Sequence, residues 1–235
     1  MIDLHSHVLP GIDDGAKTFD DSLVLLKELA DFGMTDVVAT PHYVDETTYI
    51  SSSAENAGLL KELQKKLDEN KIAVRVHLGN EIYITPRILK LIKDGEISAL
   101  GGSKYLLVEL PMSGEFPSYE DIILELIRDG YKVILAHPER YNSFQKDFSL
   151  IQELFDMGVI FQCNLGSFAG QYGGTVKKLA VKLAKADMIF ALGSDIHHPK
   201  GIKFWNKALK KVSKYYDEIE LDEILITNPR KILAA

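Results

Sequence analysis

Seven short apolar runs recur along the 235 residues, at 1–4, 36–40, 73–78, 105–108, 132–136, 159–163 and 188–192, and each is followed by a stretch with helical spacing. Strands this short that alternate with helices pair in parallel, because the helix carries the chain back to the same end of the sheet. Seven such units with no linker, repeat or low-complexity segment between them point to one domain over 1–235. The architecture expected is α/β, a closed or nearly closed barrel, with an open doubly wound sheet as the alternative. Helices are expected at 19–32, 51–70, 85–93, 119–129, 148–157, 175–185, 204–215 and 221–226. Gly33 should stop the first, and Thr85-Pro86 should cap and begin the third. The closing Asn228-Pro229-Arg230 reads as a docking tail.

The residues at the strand exits carry the chemistry. Parallel barrels gather the residues just past each strand on one face. Here that rule collects His5 and His7, His42, Glu81, Glu109, His137, Asn164, and Asp195 with His197. Five of the seven histidines fall at exits and His198 is adjacent, leaving His77 within a strand, so chance placement is a poor explanation. Any one of these residues could be an ordinary hydrogen-bonded polar group, but the set points to metal. Imidazoles mixed with carboxylates suit Mn, Fe or Zn. Eight or nine ligands exceed what a single ion takes, so two or three ions are expected. Three divalent ions against the carboxylates of Asp14, Glu81, Glu109 and Asp195 leave about two positive charges, which favours hydroxide and a dianionic phosphate.

Composition removes other classes. A formal charge of −7 argues against nucleic-acid binding as the main function. The lysine-rich helices near 61–71 and 203–214 read as solvated faces. The single cysteine, Cys163, excludes an internal disulfide and a cysteine zinc site; position 169 is Ala, so the cysteine-five-residues-arginine spacing of thiol phosphatases is absent. No apolar run reaches membrane-spanning length, and a cytoplasmic setting without membrane insertion is expected. Tyr43, Phe116, Tyr141 and Tyr172 lie in exit loops and could wall a pocket for an aromatic ring.

Taken together, Asp3-Leu4-His5-Ser6-His7, Gly11-Ile12-Asp13-Asp14-Gly15-Ala16, Thr40-Pro41-His42, Glu81, Glu109, His137-Pro138-Glu139-Arg140 and Ser194-Asp195-Ile196-His197 resemble the polymerase-and-histidinol-phosphatase (PHP) domain. Within it, the chain is most similar to the bacterial capsule and exopolysaccharide tyrosine phosphatases, over nearly its whole length. The resemblance implies a distorted seven-stranded (β/α)7 barrel, manganese, and phosphotyrosine substrates on a partner bacterial tyrosine kinase. It further implies that His5, His7, Glu81 and Asp195 hold a first ion and that Glu81, Glu109 and His137 hold a second. Asp14, His42 and His197 would hold a third.

Arg140 matches the family's phosphate-binding arginine. A second family arginine after His197 is missing, and this chain has Lys200 and Lys203 there instead. Neither can make arginine's two-pronged contact. The expected reaction is attack of a metal-bound hydroxide on phosphorus, with His42 or a metal-bound water protonating the leaving oxygen. Two rivals share these residues: a small-molecule phosphatase such as histidinol-phosphate phosphatase, and a non-catalytic module that binds phosphotyrosine.

Overall fold

The computed structural model describes residues 1–113 and 119–234, so Phe116 lies outside the described residues. Among the described residues there are nine strands: β1 (Ile2–Ser6), β2 (Asp36–Ala39), β3 (His42–Tyr43), β4 (Arg75–Leu78), β5 (Glu81–Tyr83), β6 (Tyr105–Glu109), β7 (Lys132–Ala136), β8 (Ile160–Asn164) and β9 (Ile189–Gly193). Every pairing is parallel, as the alternation requires. The strands form two sheets, in the orders β1-β2-β4 and β3-β5-β6-β7-β8-β9. Two expected strands are therefore each broken in two. Pro41 has no N–H to give a ladder, and pairing resumes only at His42 opposite Glu81. Gly79 interrupts the other; a β-carbon there would sit 2.6 Å from Leu100 Cδ2, so only glycine lets the strand pass.

Hydrogen bonds join the two sheets at both borders. Gly79 N donates to Ala39 O at 2.9 Å and Glu81 N to Pro41 O at 3.1 Å. On the other side, Asp195 N donates to His5 O at 2.8 Å and His7 N to Ile196 O at 3.1 Å. Asp3 reinforces this border: its buried carboxylate accepts from Ser194 N at 2.9 Å.

The first helices follow the sequence closely. α1 (Phe19–Phe32) starts with a Thr18–Asp21 capping box and ends at Gly33 with φ 104°, the left-handed conformation glycine adopts without strain. α2 (Ser53–Glu69) is capped by Ser52. α3 (Ile88–Lys93) begins two residues later than the expected first position Pro86, because the Thr85 hydroxyl accepts from Arg87 N in a preceding turn instead of capping the helix. The rest are α4 (Tyr119–Arg128), α5 (Asn142–Lys146), α6 (Ser149–Asp156), α7 (Gly174–Lys185), α8 (Trp205–Val212), α9 (Glu218–Asp222) and α10 (Asn228–Leu233).

The sequence around Asn228 is not a free docking tail. Asn228 Nδ2 donates to Phe190 O at the start of β9, at 3.0 Å, and Ile232 is fully buried. Ile232 packs with Ile2, Leu4, Val38, Leu107, Ile134 and Ala191 in a small apolar cluster between the strands. A larger core lies between strands and helices, with Val37, Leu106, Val133, Leu135, Phe161 and Cys163 facing Leu26, Leu63, Ile123 and Leu183. Burial of this kind stabilises by roughly 25 cal/mol per Å² of apolar surface. Tyr43 and Tyr141 also belong to the core rather than to a pocket wall. The Tyr141 hydroxyl donates to Ala136 O and accepts from Leu110 N, both at 3.0 Å.

Gly193, at the end of β9, tests how tightly the strand exits are packed. A β-carbon there would stand 2.6 Å from Gln162 Nε2 and 2.9 Å from His5 Cβ. Gly193→Ala should therefore lower stability by about 1–3 kcal/mol, measured by urea unfolding. Unchanged stability would mean that β1 and β8 have slack at this point.

Candidate metal centre

β1 ends in a short irregular stretch: its register with β2 shifts between Asp3 and Ser6, and His5 and His7 emerge with their Nε2 atoms 3.2 Å apart. The Nδ1 atom of each ring is already engaged, His5 with Gln162 Oε1 at 2.8 Å and His7 with Asp13 Oδ2 at 2.7 Å. Those acceptors place the N–H on Nδ1 and turn two imidazole lone pairs toward each other. Two facing lone pairs are tolerable only with a positive charge between or beside them.

The same demand recurs around Glu81. Its Oε2 is a buried carboxylate oxygen with no hydrogen-bond donor. His42 Nδ1, His5 Nε2 and His7 Nε2 stand 3.0, 3.1 and 3.2 Å from it. Its other oxygen, Oε1, lies 2.8 Å from His137 Nε2. Asp195 Oδ1 is 3.5 Å from both His5 Nε2 and His7 Nε2. Buried polar atoms are ordinarily satisfied, and one left open amid three imidazoles has the chemistry of a cation's ligand. The donor set thus fits divalent metal ions.

All nine sequence-derived metal residues converge here. Three groups each bring their ligand atoms within 4.8 Å: His5, His7 and Glu81; His42, Glu81 and Glu109; and His7, Asp14, His42 and His197. Compared with the sets the family resemblance implies, His7 joins Asp14, His42 and His197 as well as His5 and Glu81, His42 also joins Glu81 and Glu109, and Asp195 and His137 fall outside all three groups. His137 reaches Glu81 more closely than Glu109, whose Oε1 is 3.8 Å away.

Electrostatics respond as a crowded ionic cluster should. Burial would lower the His5 imidazole, but the Glu81 and Asp195 carboxylates raise it to about 10. Burial would lower His42 too, but the Glu81, Glu109 and Asp13 carboxylates together push it up to about 9. Glu109 rises to about 8 because it is buried beside the Glu81 charge. Burial dominates at His137, which is lowered. Each of these shifts is the response of a buried group to the charge of its clustered neighbours.

Two of the clustered residues are held in backbone conformations that non-glycine residues avoid, His137 at φ 35° and Asp195 at φ 49°. Such strain typically costs on the order of 1–3 kcal/mol and persists where the surroundings fix it. Here neighbouring strands do so: His137 N donates to Gln162 O at 2.7 Å and Asp195 N to His5 O at 2.8 Å.

Several residues besides the nine metal-type ones matter to the geometry. Asp13 orients His7 and also accepts from His42 N at 3.1 Å. Gln162 and Asn164, two apart on β8 and so on one face, form a relay between two clustered groups. Gln162 accepts from His5 through Oε1 and donates through Nε2 to Asn164 Oδ1 at 3.0 Å; Asn164 Nδ2 then donates to Asp195 Oδ2 at 2.6 Å. Behind them, the buried Glu139 accepts from Asn164 N at 2.9 Å and Ser167 Oγ at 2.7 Å. Asp13 and Glu139 sit in quoted motifs, but nothing in the sequence distinguishes Gln162 from any strand glutamine. Cys163, between the two relay residues, points into the apolar core with its thiol raised by burial and by Glu139.

Beside the cluster lies a cavity of about 350 Å³ lined by Asp14, Arg140, Tyr172, Asp195, His197 and Trp205, among others. Arg140 is fixed on two sides. Its Nη1 donates to Asp195 Oδ2 at 2.8 Å, and its guanidinium lies 4.8 Å from the centre of the Tyr172 ring. Lys200 and Lys203 are exposed in the turn Pro199–Phe204 and are not among the cavity-lining residues. Tyr49, which the sequence reading passed over, stacks on His42 at 5.9 Å.

Comparison with known proteins agrees with this geometry. The chain is 34% identical to CapC of Staphylococcus aureus over 239 residues, covering 98% of this chain and 92% of CapC. It is 31% identical to the tyrosine-protein phosphatase YwqE of Bacillus subtilis, covering 99% of this chain and 91% of YwqE. A structure solved in a study of YwqE from Bacillus subtilis and CpsB from Streptococcus pneumoniae, described as metal-dependent tyrosine phosphatases, superposes with a TM-score of 0.93. At 30% identity, that match covers 100% of this chain and 94% of the solved one. The family profile described as capsular polysaccharide synthesis, CpsB/CapC, matches residues 1–234, and the chain belongs to that family.

Proposed function

We propose that this chain is a cytoplasmic, metal-dependent phosphomonoesterase that hydrolyses protein phosphotyrosine in capsular polysaccharide synthesis, with a bacterial tyrosine kinase as its partner substrate. The observation that carries this reading is the buried, donorless Glu81 Oε2 facing His5, His7 and His42, with Arg140 at the adjoining cavity. The names of the relatives supply the reaction and substrate class; the chemistry of the donor set supports manganese, in two or three ions. We read the fold as one distorted seven-stranded (β/α)7 barrel of PHP type. In support, β2 with β3 and β4 with β5 continue one another across Pro41 and Gly79, and β9 meets β1.

The residues proposed as metal ligands are His5, His7, Asp14, His42, Glu81, Glu109, His137, Asp195 and His197. Divalent ions held there would generate the hydrolytic nucleophile and neutralise phosphate charge. Arg140 binds phosphate oxygens with a guanidinium already oriented by Asp195 and Tyr172, so little freedom is lost on binding. Asp13 and Gln162 keep the His7 and His5 rings in one tautomer each. For His42 we favour ligation over protonation of the leaving oxygen, since its Nδ1 and Nε2 face Glu81 and Asp14 at 3.0 and 3.6 Å. Tyr172 offers a flat wall to a tyrosyl ring.

Purified protein should carry two to three transition ions per chain. Chelation should abolish hydrolysis of a phosphotyrosine peptide, and manganese should restore it. His5→Ala and Asp195→Ala should each cost on the order of a hundredfold or more, since even an outer partner of a metal ligand is worth about 10–100-fold. Full activity in thoroughly demetallated protein would sink the proposal, and faster turnover of histidinol phosphate would shift it to a small-molecule enzyme. Gln162→Leu keeps the shape but removes the acceptor on His5 Nδ1. It should weaken metal binding about 10–100-fold by calorimetry, with the fold intact. Unaltered affinity would show that the relay does not matter.

Arg140→Lys should lower kcat/KM for a phosphotyrosine peptide by about tenfold to a hundredfold, the cost of a charge-assisted contact, with metal content unchanged. Lys200→Ala and Lys203→Ala should each cost less. Should either match Arg140→Lys, that lysine has taken the place of the missing arginine.

A further inference from the structure

Residues 174–216 hold ten lysines against two acids, Asp187 and Asp195, a balance of +8. The rest of the chain holds 17 basic and 32 acidic residues, a balance of −15, so the overall −7 conceals a strong separation of charge. Elsewhere several helix lysines are paired within their helices, as in Lys27–Asp31, Lys65–Glu69, Lys66–Glu62 and Lys90–Asp94. Among the described residues, none of the ten lysines has a carboxylate within ion-pair distance. An ordinary solvated helix face is laced with both signs; this one is not.

The structure brings these lysines onto neighbouring elements. On α7, Lys178, Lys182 and Lys185 follow the i, i+4, i+7 spacing of one helix face, and all three are exposed. On α8, Lys207, Lys210 and the half-buried Lys211 share a face at i, i+3, i+4 spacing, with the exposed Lys214 just beyond the helix at i+7. Both helices pack on the turn Leu165–Ala169. Lys185 Nζ, from the end of α7, lies 6.0 Å from the ring of Tyr215, which follows α8. Both also begin at the cavity beside the metal centre. Gln171 and Tyr172, just before α7, and Trp205, the first residue of α8, line it, and the exposed Lys200 and Lys203 stand between its rim and α8.

We propose that the lysine faces of α7 and α8, with Lys200 and Lys203 at the rim, form a docking surface for a carboxylate-rich segment of the phosphotyrosine protein substrate. The proposal rests on the phosphatase reading and adds a substrate preference to it: acidic sequence beside the phosphotyrosine. Charge complementarity and continuity with the cavity single out this occupant. A peptide whose phosphotyrosine enters the cavity must leave it over some part of the rim, and this part is cationic. α8 is about 12 Å long. An extended segment advancing about 3.3 Å per residue crosses it in roughly four residues. Unpaired lysines on such a surface speed encounter with an anionic partner and repel cationic ones.

The test compares two phosphotyrosine peptides, one flanked by Glu and Asp and one by Ser and Gly, with the manganese-loaded full chain. The acidic peptide should show kcat/KM higher by about tenfold, mainly through KM, at roughly 50 mM salt, and the advantage should shrink toward parity near ~500 mM. A variant with Lys178, Lys182, Lys207 and Lys210 all changed to Gln should lose the advantage, while turnover of p-nitrophenyl phosphate stays unchanged. No preference in the unaltered protein, or one that survives the four substitutions, overturns the proposal. So does lysine-dependent sedimentation with phosphatidylserine vesicles without any peptide preference, which would assign the surface to a membrane. Salt-dependent self-association through these lysines without peptide preference would assign it to a second copy. If neither peptide is hydrolysed, the phosphatase reading falls by itself. Anisotropy of a labelled acidic peptide carrying a non-hydrolysable phosphotyrosine then decides the docking surface separately.

Discussion

The fold must keep a buried carboxylate in place amid four imidazoles. Glu81 is wholly buried, and its Oε2 has three ring nitrogens around it and no hydrogen bond. An isolated charge in such a place would be expelled or neutralised. It persists because β1 delivers His5 and His7, β3 His42 and β7 His137 to it from different directions, and because Asp13, Gln162 and Asn164 hold those groups and Asp195 in turn. The strained backbones at His137 and Asp195 belong to the same solution, since hydrogen bonds from adjacent strands fix both.

Much of this was legible in the residues. The alternation of apolar runs gave parallel pairing, and placing His5, His7, His42, Glu81, Glu109, His137 and Asp195 at strand exits located the cluster, because strand direction and a period of two are local properties. What the sequence hid depends on distant partners. The break at Pro41 followed from its missing N–H, yet the strand resumes with a partner forty residues away, at Glu81. Asn228-Pro229-Arg230 resembles a tail until Phe190 O and the pocket for Ile232 are in place. Gln162 looked like any polar strand residue, since its importance lies in reaching His5, 157 positions earlier. The ten lysines of 174–216 were visible one by one, but that α7 and α8 share a supporting turn was not.

Two kinds of stability coexist in the molecule. Apolar contacts between strands and helices hold the scaffold, and they carry no preference for any ligand. The strand exits hold imidazoles and carboxylates drawn tightly together, so the proton affinity of each depends on the charge of its neighbours. Binding of a cation by such ligands is linked to proton release. Scaffold and site are joined at the border between β1 and β9, where Asp3 accepts from Ser194 N two residues before His5.

That border has a consequence for how the molecule comes into being. β1 is made first, yet the backbone group that fixes His5, the amide of Asp195, belongs to one of the last segments to be synthesised. Ile232, later still, fills the space beneath Leu4. A growing chain can form α1, β2 and α2 in turn and can pair His7 with Asp13 early, but His5 meets Gln162 and the Asp195 amide only after β8 and β9 have emerged. The β1 border is therefore closed late, and a chain that stopped before β9 would leave that sheet edge open.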